Sequence, residues 1–218
     1  WVACSWAYPQ LKPGEKANDK IIILEDTDND GKADKSTVFA DGLYLPTGIE
    51  LANGGCYVGQ SPDVFFFKDT DGDDVADVKE VALTGFGIED SHHSISAWRR
   101  GPGGWIYFQE GIFLHTQVET QYGVLRNFNG GVYQYNPRTQ ELRMFVRGTG
   151  GNPWGHVFDR WGQSFMVNNP RIMYLSPSSG ASDESSLVPP LIKTEKQCGG
   201  DIATGTHLPP DIQGQLLT

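Results

Sequence analysis

Apolar residues in this chain come in short blocks, each bounded by turn residues. "IIILE", "VFFFK" and "WIYFQ" are rich in Ile, Val and aromatics and too short for helices, so they read as strands. Two stretches align along their whole length: "IIILEDTDNDGKADKSTVFADGL" and "VFFFKDTDGDDVADVKEVALTGF". Each is an apolar strand, an acidic loop and a second strand. "GGVYQYNPRTQELRMFV" is a third hairpin, turning at Asn136-Pro137-Arg138-Thr139 without the acidic loop. Between these lie "GIELANGGCYVGQ", "SISAWRRGPGGWIYFQEG" and "GHVFDRWGQSFMVNN", each two short strands joined at a turn containing Gly.

Inner and outer hairpins therefore alternate. Four strands in every ~40–50 residues predict a β-propeller blade. The 43-residue offset between Asp26 and Asp69 is then one blade. The expected fold is all-β, a partial β-propeller of four-stranded blades. About four blades are present, with the start of another at "HLPPDIQGQLLT". Residues 1–218 read as a single propeller fragment truncated at both ends, since "WVACSW" and "GQLLT" both read as strands. Ser176–Lys196 is Ser- and Pro-rich and reads as a long loop or an excursion between blades. Trp98, Trp105, Trp154 and Trp161 recur at blade strands and are expected to pack between blades.

Composition agrees with this fold. Hydrophobic residues are 38% of the chain, enough for a packed core, and 27 Gly with 13 Pro favour many turns over long helices. No apolar run reaches the ~18 residues of a membrane span, and no signal peptide opens the chain. The net charge is −10, but its location matters more. Asp26–Asp34 carries −3 and Asp69–Asp77 carries −5, which leaves −2 for everything else. The acidity is local and aimed at cations, and no basic patch suggests nucleic acid. Cys4, Cys56 and Cys198 form no metal or haem motif, and one disulfide or three thiols are both open.

The acidic loops have calcium-loop spacing over residues 26–37 and 69–80. In the first, Asp26, Asp28 and Asp30 stand at positions 1, 3 and 5, with Gly31 at 6, the Lys32 carbonyl at 7 and Asp34 at 9. The second offers Asp69, Asp71, Asp73, the Val75 carbonyl, Asp77 and, at position 12, Glu80. Asp74 takes position 6, where Gly is expected, so that turn is expected to be distorted. Hard Ca²⁺ takes 6–8 oxygens at about 2.3–2.6 Å, which alternate carboxylates on a tight turn supply. Strands rather than helices flank the loops, so they are not EF-hands. The alternative is a solvated Asp-rich hairpin turn. Extracellular calcium modules bind at about 10⁻⁴–10⁻³ M, which suits a periplasmic or extracellular setting.

"EDSHHSISAWRRGPGGWIYFQEG" places His92 and His93 before an inner strand, where propeller loops gather around the central channel. A His there is a candidate general base; a His pair in an ordinary turn is the alternative. His156, at a strand start, reads as structural, and His115 and His207 sit in loop or strand-edge contexts with no partner by spacing.

The strings "ILEDTDNDGKADKSTVFADGL", "FFFKDTDGDDVAD", "HHSISAWRRGPGGWIYFQEGIFLHTQVET", "GGVYQYNPRT" and "NPWGHVFDRWGQ" resemble the membrane-bound dehydrogenase domain of planctomycete-type (PVC) bacteria. The resemblance spans nearly the whole chain. That family is distantly similar to the soluble sugar dehydrogenases that use pyrroloquinoline quinone (PQQ). There a catalytic His opens H-x-G-G-x-hydrophobic, with P-D-G nine residues on. Here His93 leads to Pro102-Gly103-Gly104, with Ile95 and Ser96 in place of the two glycines. The quinone-binding R-N-P-Q-G corresponds to Gly151-Asn152-Pro153-Trp154-Gly155, which keeps the Asn and lacks the Arg. The calcium-binding E-H-G-P corresponds to Val167-Asn168-Asn169-Pro170. The resemblance implies an exported dehydrogenase oxidising a sugar or alcohol, with His93 as base. Asn152 would contact the cofactor, Asn169 and Pro170 would lie by its calcium, and a haem c domain would stand elsewhere in the longer protein. From the residues alone, Arg99 and Arg100 precede a turn and read as a solvated edge, or Arg100 serves an anionic ligand such as the cofactor. The other reading is a calcium-stabilised propeller that binds a glycan or protein without chemistry.

Overall fold

The structure, a computed structural model, describes residues 1–149, 152–168, 171–174, 192–193, 199–205 and 208–217. Strands follow one another along the chain and gather into small antiparallel sheets. The first sheet holds β1 (Val2–Cys4), β2 (Asp19–Glu25) and β3 (Lys35–Leu43). The second is a four-stranded meander of β4 (Gly48–Ala52), β5 (Gly55–Gln60), β6 (Asp63–Lys68) and β7 (Val78–Thr84). Next come β8 (Ser96–Arg100) and β9 (Ile106–Glu110), then a separate hairpin of β10 (His115–Thr120) and β11 (Gly123–Phe128). β12 (Gly131–Asn136) and β13 (Glu141–Arg147) return to pair in the order β13-β12-β9-β8. The fourth sheet is β14 (Pro153–Phe158), β15 (Ser164–Asn168), β16 (Arg171–Tyr174) and β17 (Ile192–Lys193). A last pair is β18 (Asp201–Ile202) with β19 (Leu216–Leu217).

Period-two alternation explains why the middle strands read as continuous apolar runs. In β5, Cys56 and Val58 join the core shared with the first sheet, beside Ile21, Ile23 and Phe39. Tyr57, between them, joins the core shared with the third sheet, beside Trp98, Phe108 and Tyr133. β9 repeats the device. Ile106 and Phe108 face the second sheet, while Tyr107 packs with Met166 and Phe158 of the fourth. A strand buried on both faces has no polar face to show.

The sheets meet through their leading strands: β1 touches β4, β4 touches β8, β8 touches β14 and β14 touches β18. These begin at residues 2, 48, 96, 153 and 201. Between the second and third sheets the contact is a tryptophan laid on glycines. Gly48 and Gly59 stand opposite each other in the β4–β5 ladder, and the Trp98 indole covers both. A methyl group added at Gly59 would lie 2.7 Å from the ring, and one at Gly48 would overlap it. Neither glycine has a positive φ, so the requirement is closeness of approach rather than backbone freedom. Trp98 stacks in turn on Phe108, with centroids 4.4 Å apart.

Side-chain hydrogen bonds cross the same seams. Ser5 Oγ donates to the Pro46 carbonyl (2.6 Å), Thr47 Oγ1 donates to the Ile95 carbonyl, and buried Gln109 Nε2 donates to the Gly155 carbonyl (3.0 Å). Two details differ from the sequence expectation. "HTQVET" and "GVLRNF" pair with each other outside the four-stranded unit, against β7 and β13. Trp161 does not pack between sheets: it is 78% exposed on the β14–β15 turn, with Arg160 over its ring. Cys4 and Cys56 are free thiols, and Cys198 lies outside the described residues.

The glycine constraint is directly testable. Gly59→Ala should cost about 1–3 kcal/mol by overpacking, lowering the melting midpoint by about 2–4 °C per kcal/mol for a chain of this size. Gly199→Ala, where an added methyl meets nothing within 4 Å, should leave the melt in place. Equal melts for the two variants would mean that the Trp98 contact does not limit sheet approach.

Candidate functional site

Residues leading into β4, β8 and β14, with Ala3, Ser5 and Tyr8, enclose an open cleft of about 840 Å³. Sequence-distant groups meet there because each precedes or opens a leading strand. His92 and His93 come from the turn before β8, and Asn152 and Trp154 from the start of β14.

The histidine turn is built locally. Asp90 caps the 3-10 turn Ser91–His93, its Oδ1 accepting from the His92 backbone N–H at 2.8 Å. This satisfies a donor that the turn leaves open. The His93 carbonyl accepts from Gly111 N–H (2.9 Å), and His93 Nδ1 lies 2.9 Å from the Ile112 carbonyl oxygen. A carbonyl only accepts, so Nδ1 carries the proton, and in the neutral ring Nε2 keeps the lone pair. The imidazole stacks on Phe113 at 5.5 Å. Gly111 permits this, since a Cβ there would sit 2.7 Å from His93 Cγ. Strain gathers nearby. Ala97 adopts φ +51 and Phe113 φ +76, and the β8–β9 register shifts between Ser96 and Arg99. Such bulges re-aim side chains at a ladder's edge.

The lining is rich in hydroxyls: Ser5, Thr47, Ser91, Ser94 and Ser96, beside Tyr8 and Trp154. Ser5 and Thr47 donate within the protein, so each offers acceptor lone pairs to a ligand. Among the described residues, Asp90 is the one carboxylate in the lining, and no Lys or Arg joins it. Arg100 ends β8 at the opposite end from Ser96 and neighbours Glu50, whose carboxyl is raised chiefly by burial. It is not in the cleft. Asn169, Pro170 and His207 lie outside the described residues.

Sequence spacing gave no sign of Tyr8, Thr47 or the buried Glu110. Glu110 Oε2 accepts from Thr116 Oγ1 (2.7 Å) and Oε1 from Asn127 Nδ2 (2.8 Å). Burial holds its carboxyl above the usual range. Tyr133 Oη lies against it without hydrogen-bonding geometry. This network ties the β10–β11 hairpin to β9, one residue before the segment that holds His93. The capping Asp90 was readable, as an Asx two residues before His92.

The acidic loops share much of their hydrogen bonding. Gly31 N–H and Asp74 N–H each donate to the first Asp of their loop, Asp26 and Asp69, at 2.9 Å. Lys32 N–H and Val75 N–H donate to Asp30 and Asp73. Asp34 and Asp77 each accept from a threonine, Thr27 and Thr70, through both backbone and hydroxyl. Asn29 and Gly72, then Gly31 and Asp74, take left-handed φ at matching positions. Asp74 at φ +67 thus keeps the turn that Gly31 makes, in place of the expected distortion. Carboxylate oxygens of Asp26, Asp28 and Asp30, and of Asp69, Asp71 and Asp77, gather within 4.8 Å of one another. Hydrogen bonds hold Asp26, Asp34, Asp69 and Asp77 below the usual carboxylate range, from Gly31, Thr27, Gly72 and Thr70 respectively. Asp71 is raised by the charges of Asp73 and Asp77. Glu80 sits on β7 opposite Phe66 and outside the cluster.

The remaining histidines have other partners. His115 Nδ1 pairs with Glu89 at 2.9 Å on the surface. His156 is buried among Tyr107, Phe145 and Phe158, with Nε2 on Ser164 Oγ.

The family model described as "Domain of unknown function (DUF7133)" matches residues 1–198. No curated protein matches the chain. Among solved structures, a luciferin-regenerating enzyme aligns at TM-score 0.38 and 11% identity, covering 78% of this chain and 69% of its own. A chain of a nidogen/laminin complex aligns at TM-score 0.37 and 14% identity, covering 76% of this chain and 74% of its own.

Burial drives the His156 pKa down to about 3, with Arg99 adding to the effect. Its folded pKa is below the unfolded value of about 6.5, so its contribution is complete above pH 6.5 and is lost as pH falls toward 3. Thermal melts should therefore drop between pH 6.5 and 5, by at most about 1.4 kcal/mol per pH unit. His156→Phe should flatten that limb whatever its starting stability. An unchanged slope in the variant would assign the acid sensitivity to other groups.

Proposed function

We infer that this chain, which belongs to the DUF7133 family, forms an arc of a β-propeller with calcium-binding outer hairpins and a cleft for a sugar or alcohol. In this reading it is the substrate-binding part of an exported, periplasmic or extracellular dehydrogenase. The observation that carries the reading is His93. Its Nδ1–H is held by the Ile112 carbonyl, leaving a basic Nε2 on a residue that lines a hydroxyl-rich cleft. The propeller is supported by the run of leading strands in contact from sheet to sheet.

On this reading His93 Nε2 takes the proton of a substrate hydroxyl. The carbinol carbon gives its hydride to a two-electron acceptor, and a haem c domain would pass the electrons onward. The acceptor is not matched to PQQ by the described lining. An anionic quinone finds Asn152 there but no Lys or Arg, and Arg100 is elsewhere. The same absence favours a second reading, a non-catalytic propeller that binds a glycan or protein. Calcium fares better. Each loop offers three converging carboxylates, the hard oxygen donors that Ca²⁺ takes. A bound cation would offset the mutual repulsion that raises Asp71.

Calcium titration calorimetry should show binding in the 10⁻⁴–10⁻³ M range that is lost in an Asp26/Asp28/Asp69/Asp71→Asn variant. Equal heats from both proteins would sink the calcium reading.

For the chemistry, dye-linked oxidation of a sugar and alcohol panel by the full-length protein should fall about 10²–10⁴-fold in His93→Ala. Turnover retained in that variant would move the base elsewhere, with His92 next. No turnover with any substrate, with or without added quinone, would favour the non-catalytic reading.

A further inference from the structure

A second cavity, of about 590 Å³, opens beside the cleft. The capped histidine turn walls both, since Asp90, Ser91, His92 and Ser94 line each of them. Its far side is formed by Gln10, Tyr44 and Ile88. We propose that the two cavities form one trough, and that its ligand is a neutral oligosaccharide lying across the Ser91–His93 turn. This rests on the sugar-binding reading above and specifies the ligand.

Size is the first argument. A site for one small ligand spans about 300–1,000 Å³. The cleft beside His93 already reaches about 840 Å³, so the adjoining space is surplus to a single sugar. Charge is the second. Among the described residues, neither cavity is lined by Lys or Arg. The carboxylates that line them are engaged inside the protein. Asp90 accepts from the His92 backbone, and Glu89 holds His115. An anionic polymer finds no Lys or Arg among the described lining residues, whereas a neutral one needs only hydroxyl partners and flat apolar surface. The third argument is the crest between the cavities. The His92 side chain is 62% exposed, yet it is placed by Asp90 at 3.3 Å and by the Tyr8 ring at 5.2 Å. Trp154 stands on one side of this crest and Tyr44 on the other. Aromatic surface with a few placed polar groups is the usual lining of an organic ligand site.

Titration calorimetry with neutral monosaccharides and their hexasaccharides (β-1,4- and α-1,4-linked glucose, mannose and xylose series) tests this. A hexasaccharide should bind at least about tenfold tighter than its monosaccharide, more than the few-fold gain from alternative registers. Ile88 is 66% exposed, so Ile88→Arg should melt like the wild type while losing most of the hexasaccharide gain. Hexasaccharides that bind no tighter than monosaccharides would overturn the trough and leave the sugar reading standing. So would full hexasaccharide affinity in Ile88→Arg. Failure of every sugar, at either length, would overturn both.

Discussion

The distance between consecutive sheets is set where backbone, not side chain, meets the next aromatic ring. Trp98 lies on Gly48 and Gly59 at one seam. At the next, Gly101 lies under Tyr107 and Phe158, and further on Gly155 faces Gly200. Sheets normally pack about 10 Å apart with side chains interdigitating. A glycine under a ring lets the leading strands come closer at one end. The Thr47 hydroxyl then has the Ile95 carbonyl within reach across the seam. The cleft depends on this, because its walls are the segments that lead into those same strands. A larger residue at Gly48 would meet Trp98 and so act on the site through the gap between two sheets.

Within that frame, the His93 environment is over-determined. Its carbonyl, its Nδ1 and one face of its ring are each held by the segment Gly111–Phe113. That segment follows Glu110, whose buried carboxyl is tied to Thr116 and Asn127. Two residues with positive φ, Ala97 and Phe113, sit in the same neighbourhood. Non-glycine residues there cost of order 1–3 kcal/mol each and persist where surroundings fix them. An imidazole in an ordinary surface turn, such as His115 with its one ion pair, has no such support.

Much of the fold was legible because it repeats. The aligned acidic hairpins became β2–β3 and β6–β7, and the Gly-turn pairs became β4–β5, β8–β9 and β14–β15. The β10–β11 hairpin was missed because it breaks the repeat, standing between β9 and β12, which pair with each other. Trp161 misled because a tryptophan beside a strand block suggests packing, whereas the tight turn held by Asp159 turns it outward. The candidate site was legible only in part. His93 and Asn152 could be picked out by motif, but Tyr8 and Thr47 reach the cleft by tertiary approach alone. Local pattern does not encode which leading strand abuts which. The glycines that permit the approach, Gly48 and Gly59, look like ordinary strand punctuation.

The two kinds of candidate site divide the molecule's charge between them. The loops at the tips of β2–β3 and β6–β7 hold −8 of the net −10, with carboxylates fixed toward one another by backbone N–H groups. Such a cluster is largely solvent-exposed, but it has already met part of the ordering that a hard cation would demand. The cleft is the reverse. Among the described lining residues its one carboxylate caps the Ser91–His93 turn, and the other polar side chains include hydroxyls, an amide and imidazoles. Acidic surface elsewhere disfavours the approach of anions through the long-range field, and among the described residues the cleft offers no Lys or Arg to offset that. An anionic ligand is therefore opposed twice, once on approach and once on arrival, while a neutral polyhydroxy ligand meets neither barrier. This asymmetry, rather than any single residue, is what would separate the proposed cation-binding role of the hairpin tips from the proposed neutral-ligand role of the mouths of the leading strands.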